Sequence, residues 1–537
     1  IWALLGGTII GIVAFSSIGL SDDSTGEFVS SLFYVILISL LLSWLTAVST
    51  TPLLCNLLLK TGDGSDDESG AYDAKPFQIY RGMLASAIRQ RWLTVGAVVG
   101  LWVAALIGFG YTTPGFFPDA NTPLFFVDIY TPEGTDIRKT RDGTLRVSEF
   151  LRQQEGVVTT STVVGGPHQR FTLVYDSKEP SPAYAQIIVL TERRDQIPAV
   201  WNAVSEYMHT DMPWLDPIVK ALRIGPGRDA KIEARFSGPD PEVLRELAEK
   251  AKAIMREDYD AKDVRDDWRN PVKVVTPVFN EQVGRQLGVT REDLGGALQF
   301  AFEGTSVGSY RDGIHLLPIK LRASAEERGD IDKIRDIQVW SPVLGRSVPA
   351  DQLISEYRTT WENAVVRSRD RLLTIIASCN PIGPLADPLF SRVRPQIEAM
   401  ELPPGYALAW GGEYEDATLA QEGLAASLPG GFVMMILITI LLFGKLRQPA
   451  IIWLTVPLAA IGITAGLLAF NGAFDFMSLL GALSLVGLLI KNAIVLIEEI
   501  DQEIEAGTPR FDAVLDASVS RMRPVVLAAA TTILGLI

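Results

Sequence analysis

Phe476-Met-Ser-Leu-Leu-Gly481-Ala-Leu-Ser484-Leu-Val-Gly487-Leu-Leu-Ile-Lys491-Asn492-Ala-Ile-Val-Leu-Ile497 is the stretch that decides the architecture. A helix needs about 20 apolar residues to cross the hydrocarbon core of a bilayer, and this run supplies them. Its single charge is Lys491. Reading outward, comparable runs occur at Ile1–Ser21, Phe28–Leu59, Trp92–Pro118, Gly423–Gly444 and Gln448–Phe474, with a shorter last one at Pro524–Ile537. Between Pro118 and Gly423 the charge density is ordinary, too polar to span anything. The pattern is two groups of membrane helices around a large soluble block.

Composition agrees. Of 537 residues, 48% are hydrophobic and 21% charged, and Lys+Arg 48 against Asp+Glu 63 leaves a net charge of −15. That balance excludes a nucleic-acid binder working through a basic face. A mean hydropathy of +0.22 argues against a disordered chain or an ordinary cytosolic enzyme. Two cysteines, Cys55 and Cys379, make no disulfide framework, and three histidines, His168, His209 and His315, make no histidine-rich catalytic centre. The first run lacks a methionine and a basic n-region, and the last stops inside an apolar stretch. The chain is therefore expected to be a fragment of a longer membrane protein.

Lysines and arginines in the short loops set the orientation. Lys60, Lys75, Arg81, Arg89 and Arg91 follow the second run, Lys445 and Arg447 the fourth, and Arg510, Arg521 and Arg523 the sixth. The loops at Asp22–Glu27 and Gly472–Asp475 have no basic residue, so the soluble block is expected on the extracytoplasmic side and the two cysteines on opposite sides. Phe77, Tyr80, Leu84 and Ile88, and again Phe511, Val514, Leu515 and Val519, recur at helical spacing. Each set reads as a helix lying along the inner interface or packed on other loops.

The soluble block reads as α+β. Phe125, Val127 and Ile129 alternate with Phe126, Asp128 and Tyr130, which predicts a half-buried strand. A helix from Thr135, a strand at Val157–Val164, a strand at Ala185–Thr191 and a helix near Ala199–Met212 follow. Ile232, Ala234 and Phe236 open a further unit, and Asp240-Pro241-Glu242 starts a helix whose stripe is Leu244, Leu247, Ala251 and Ile254. Asp312-Gly313, between Thr305–Arg311 and Ile314–Leu321, suits a tight hairpin turn. These are split β-α-β subdomains with an inserted hairpin.

Lys491 carries the chemistry. A lysine at the centre of a membrane helix costs about 2.5–3.5 kcal/mol on insertion scales, so it pairs with an acid or serves an ion path. The plainer alternative is that its stem snorkels to the cytoplasmic interface. Gly481, Ser484 and Gly487 lie near the same side and permit close helix contact. The other apolar runs contain no Asp or Glu, which places the partner elsewhere.

Gly487-Leu-Leu-Ile-Lys491-Asn492 with Glu498-Glu499 resembles the tenth membrane helix of the resistance–nodulation–division (RND) efflux pumps, hydrophobe/amphiphile branch. Arg521-Met-Arg523-Pro524 with Thr531-Thr532-Ile-Leu-Gly535 is similar to their eleventh, and Val456-Pro457-Leu458 to their ninth. Leu402-Pro-Pro-Gly405-Tyr406 with Trp410-Gly-Gly-Glu413 resembles the approach to the eighth, and Phe116-Phe117-Pro118-Asp119 the start of the C-terminal porter region. The likeness runs the whole length in order. It implies a membrane α-helical bundle plus an α+β periplasmic porter and docking region. By residues it implies family helices five and six over 1–59, a cytoplasmic loop with an interfacial helix over 60–91 and helix seven over 92–111. A first porter subdomain would occupy 112–225, a second 226–283 and 358–412, a docking subdomain with its hairpin 284–357, and helices eight to a truncated eleven 420–537.

The resemblance also implies function: a secondary transporter rather than an enzyme, in the inner membrane of a Gram-negative bacterium, exporting amphiphilic compounds against inward proton flow. It needs no cofactor beyond the proton gradient. Implied partners are two further copies in a homotrimer, a periplasmic adaptor (membrane fusion protein), an outer-membrane channel and the lipid bilayer, with no nucleic acid. Lys491 matches the lysine that pairs with two helix-four aspartates, and Arg521 the relay arginine. Asn492, Ser484, Thr531 and Thr532 would support the relay, although the family threonine seven positions past the arginine is Ala528 here. The family's switch loop corresponds to Val164–Arg170, with Gly165, Gly166, Pro167 and His168 on the substrate path, and Ser161 falls where a pocket phenylalanine belongs. A plain glycine turn is the alternative for that loop. Met208, His209 and Met212 raise heavy-metal export as an alternative, since thioethers and imidazole suit soft copper. A lipid-handling or protein-translocation accessory is a second.

Overall fold

The computed structural model describes residues 2–20, 24–58, 74–171, 178–225, 227–324 and 331–536. Asp22, Asp23 and Lys60 lie outside them. The chain forms two compact units, one of residues 1–267 with 366–537 and one of 268–365.

The first unit opens with α1 (Trp2–Gly19), α2 (Ser24–Leu58), α3 (Lys75–Arg89) and α4 (Arg91–Phe109). Its next part is β1 (Leu124–Tyr130), α5 (Ile137–Arg152), β2 (Val157–Val164), β3 (Tyr184–Thr191), α6 (Ile197–Asp211) and β4 (Asp216–Ala221). The sheet runs β2-β3-β1-β4, antiparallel throughout, the order of a split β-α-β fold. Phe125, Val127 and Ile129 pack on Val147 and Leu151 of α5 and Val200, Val204 and Met208 of α6. The opposite face of β1 is covered as well: Phe126 and Asp128 are fully buried, so the polar alternation marks a buried polar layer rather than a solvent face.

A second subdomain of the same kind follows within this unit: β5 (Ile232–Gly238), α7 (Pro241–Glu257) and β6 (Ala261–Asp266), then, after the 268–365 insertion, β13 (Ser368–Arg369), β14 (Leu372–Pro381), α10 (Asp387–Glu398) and β15 (Ala407–Gly412). β14 and β15 flank β5, and β6 pairs with β14, which repeats the order of the first sheet. The Asp240 carboxylate accepts from the Glu242 N–H at 2.8 Å and caps α7. Leu244, Leu247, Ala251 and Met255 are the buried stripe.

The inserted unit holds β7 (Pro271–Phe279), α8 (Glu281–Leu287), α9 (Arg291–Phe302), β8 (Thr305–Asp312), β9 (His315–Leu321), β10 (Gln338–Ser341), β11 (Arg346–Pro349) and β12 (Ile354–Asn363). It is wider than 284–357 because β7 and β12 pair with each other along their length. Its core is Val289, Leu294, Val339, Val348, Ala350 and Leu353. The β8–β9 hairpin is exposed on every residue. Asp312 pairs with His315, so the two turn residues are Gly313, at φ +58°, and Ile314 rather than Asp312 and Gly313.

The chain closes with α11 (Glu413–Phe443), α12 (Arg447–Thr455), α13 (Ala459–Ala469), α14 (Phe476–Glu505) and α15 (Arg510–Leu536). Among the described residues, six spans are long and apolar enough to cross a membrane: α1, α2, α4, α11, α12 with α13, and α14. The α12–α13 span is broken by a 3-10 turn at Val456–Leu458, where Pro457 lacks an N–H to give. The amphipathic stretch at Phe511 and the apolar run from Pro524 are one continuous helix, α15. α1 is the most enclosed of the spans. Its Ala3, Ile10 and Ala14 pack with Met435, Ile452, Ile490 and Ile494 from α11, α12 and α14.

Candidate functional site

Lys491 sits on the face of α14 that meets α1, and the helices approach through glycines. A Cβ built on Gly487 would lie 3.5 Å from the Gly11 Cα and 3.6 Å from the Ala14 Cβ. One turn along, a Cβ on Gly7 would lie 2.9 Å from the Lys491 Cγ. The lysine stem therefore rests against bare backbone. Lys491 is half-buried, and among the described residues its ammonium has neither a hydrogen bond nor an ion pair. Asn492 is half-buried beside it and Ser484 is exposed. Thr531 and Thr532 are exposed on α15, where their hydroxyls donate back to the Leu527 and Ala528 carbonyls of their own helix.

Arg521 is not brought to Lys491. Its guanidinium forks onto Glu499 of α14, with Nε donating to Oε2 at 3.0 Å. Glu499 lies about two helical turns past Lys491. The neighbouring Gln448 amide donates to Asp501 at 2.9 Å, and Arg81 of α3 pairs with Asp516 of α15 at 2.7 Å. This polar band ties the cytoplasmic ends of the helices. In the sequence Glu498-Glu499 stands only as part of the tenth-helix likeness, with no partner assigned to either.

At the other end of the bundle, the first turn of α11 is embedded in cations that sequence reading missed. Glu415 pairs with Arg235 at 2.7 Å, Arg369 at 3.1 Å and Arg228 at 3.2 Å. Asp416 meets Arg228 at 3.3 Å, and Glu413 meets Lys231 at 3.5 Å. Arg235, only 4% exposed, also holds Glu233 at 2.7 Å. Trp410-Gly-Gly-Glu413 acquires a physical reason here. Gly411 leaves room for the Arg235 guanidinium, and Gly412 stands at φ +69°, where a Cβ would run into the Lys231 carbonyl. Three carboxylates in the first turn also favour the helix dipole.

The loop Gly165-Gly166-Pro167-His168 follows edge strand β2. The Gly165 N–H donates to the Tyr184 carbonyl at 2.8 Å, Gly166 and Pro167 are half-buried, and a Cβ on Gly166 would meet nothing. The His168 N–H and Nδ1 both reach the Gln186 Oε1, at 2.9 and 3.1 Å, and Nε2 is 3.1 Å from the Ser161 hydroxyl. Since Gln186 Oε1 only accepts, Nδ1 carries a proton, and in a neutral ring Nε2 accepts from Ser161. Gln186 and Tyr184 then donate to buried Asp128 at 2.7 and 2.9 Å, and Lys220 pairs with Asp128 at 2.5 Å and Asp229 at 3.1 Å. Burial alone would raise the Asp128 carboxyl, but Lys220, Gln186 and Tyr184 together hold it below the ordinary range. Met208 and Met212 are buried in the apolar core of this subdomain and His209 is exposed. Among the described residues no group of His, Cys, Asp and Glu is placed to hold a metal ion.

The family model described as AcrB/AcrD/AcrF matches residues 1–537. Curated relatives include the nickel and cobalt resistance protein CnrA of Cupriavidus metallidurans, 24% identical over 58% of this chain and 29% of that protein. The swarming motility protein SwrC of Bacillus subtilis is 20% identical over 99% of this chain and 50% of its own length. This chain thus spans half or less of the curated relatives it is compared with. A crystal structure of a heavy metal efflux pump superposes with a TM-score of 0.78 at 20% identity, covering 98% of this chain and 53% of that one. The two sheet units, the inserted hairpin unit and the lysine-bearing α14 are thus parts of one known architecture, and the chain belongs to the AcrB/AcrD/AcrF family of RND permeases.

Proposed function

We propose that this chain is part of a proton-driven exporter of amphiphilic compounds, the inner-membrane component of a trimeric pump joined to a periplasmic adaptor and an outer-membrane channel. The observation that carries the reading is Lys491, a half-buried cation with no acid of the described chain beside it, on a helix packed through glycines. Such a charge in a membrane marks an ion path. An acid contributed by the rest of the protein would pair with it when ionised and release it when protonated. The consequent shift of α14 against α1 would reach α11, since α1 packs on both. The ion cluster at the root of α11 would carry that motion into β5 and its subdomain. In this reading Arg521, Asn492, Ser484, Thr531 and Thr532 support the relay, and Gly165–His168 lines the substrate path.

Amphiphiles are favoured as cargo because Met208 and Met212, the residues that suggest a soft metal, are packed into an apolar core. Export of divalent cations is the second reading, favoured by relatives such as CnrA, a nickel and cobalt resistance protein. The test is one experiment with two arms. Cells expressing the complete protein or its Lys491→Met variant are challenged with dyes and detergents and, separately, with nickel and cobalt salts. The proposal expects lysine-dependent protection against the organic compounds alone, and Met208→Leu with Met212→Leu to leave metal tolerance unchanged. Lysine-dependent protection against the metals alone would transfer the assignment to cation export. Protection unaffected by Lys491→Met in both arms would remove the proton-relay role.

A further inference from the structure

We propose that Gly7 of α1 is a positioning residue for Lys491, an inference that rests on the reading of Lys491 above. A Cβ at position 7 would stand 2.9 Å from the Lys491 Cγ, 3.4 Å from its Cβ and 3.6 Å from its Cα. The Cγ is at the root of the side chain, so it moves only if χ1 rotates or the helices part. Parting is opposed one turn away, where Gly11 and Gly487 bring the two backbones together. A methyl group at position 7 would therefore turn the lysine stem and carry the ammonium away from its line of approach to an acid. α1 bears no titratable side chain, and of the carboxylates next along α14, Glu498 and Glu499, the second is held by Arg521. The stem's direction is therefore set by this contact with α1.

Gly6 supplies the control. A Cβ there meets the Leu442 side chain, first its Cδ2 at 2.9 Å, the flexible tip of a side chain on α11 rather than the root of one. In the complete protein reconstituted with a pH gradient, Gly7→Ala should lower the transport rate by roughly tenfold or more. It should also displace the pH–rate profile, whereas Gly6→Ala keeps both near wild type. Equal loss in both variants, or a wild-type rate and profile for Gly7→Ala, overturns the proposal. If Lys491→Met itself transports normally, the relay reading has failed; if it is dead while Gly7→Ala is normal, the positioning role alone has failed. A melting experiment tests the contact without transport. Gly7→Ala should lower the midpoint or accumulation in the wild-type background and do so much less beside Lys491→Ala, which has no Cγ. The same loss in both backgrounds contradicts the inference.

Discussion

Two charged regions of this molecule are built on opposite principles. At the root of α11 each carboxylate is matched: Arg235, 4% exposed, sits 2.7 Å from both Glu233 and Glu415, and Arg228, Arg369 and Lys231 complete the cluster. On α14, Lys491 has no counter-charge among the described residues and a bare glycine against its stem. The first arrangement suits a joint that must transmit force without changing, because separating a buried pair strands a charge. The second suits a part whose partner changes protonation state. A charge left open inside a membrane is where a switch belongs.

The comparison can be broken by mutation. The largest effect is expected from Arg235→Met, which takes a buried guanidinium away from both Glu233 and Glu415; it should cost about 3 kcal/mol in denaturant unfolding. A loss under about 1 kcal/mol would mean that the remaining arginines close the gap and the joint is redundant. Lys491→Met in this chain by itself should do the reverse, leaving the melting midpoint unchanged or raising stability by up to about 1 kcal/mol, since it removes an uncompensated charge. A drop as large as that of Arg235→Met would show that Lys491 has a partner within the chain.

The smallest effect concerns Asp267, pushed up to about 6 by burial, against the opposing pull of the Ile376 N–H and Arg367. A carboxyl whose folded value is raised binds its proton more tightly when folded. Its stabilising share is therefore complete at low pH and is lost as pH rises from the ordinary 3.8 through about 6. Asp267→Asn should flatten that slope in melting curves taken across the window. An unchanged slope would place the titration elsewhere.

Much of this was legible in the sequence because membrane spans and sheet strands leave strong periodic signals. The charge-free run around Lys491 and the alternation at Phe125–Ile129 coincide with α14 and β1. What escaped depends on three-dimensional proximity. Asp128 looks like a solvent-facing position, yet it lies under Tyr184, Gln186 and Lys220, which are remote in sequence. The Arg521–Glu499 pair spans two helices, and alternation has nothing to say about it. Gly7 was invisible for a different reason. A glycine in an apolar run reads as small-residue packing until its neighbour is known to be a lysine.

Substrate-coupled proton movement in vesicles containing the complete protein is the most direct test of the central claim, that Lys491 couples protonation to transport. With a pH gradient imposed, wild-type vesicles should move an amphiphilic dye and dissipate the gradient in proportion. Lys491→Met should bind the dye with unchanged affinity but show neither movement nor dye-dependent proton flux. Dye movement and proton flux at wild-type rates in the Lys491→Met vesicles would contradict it.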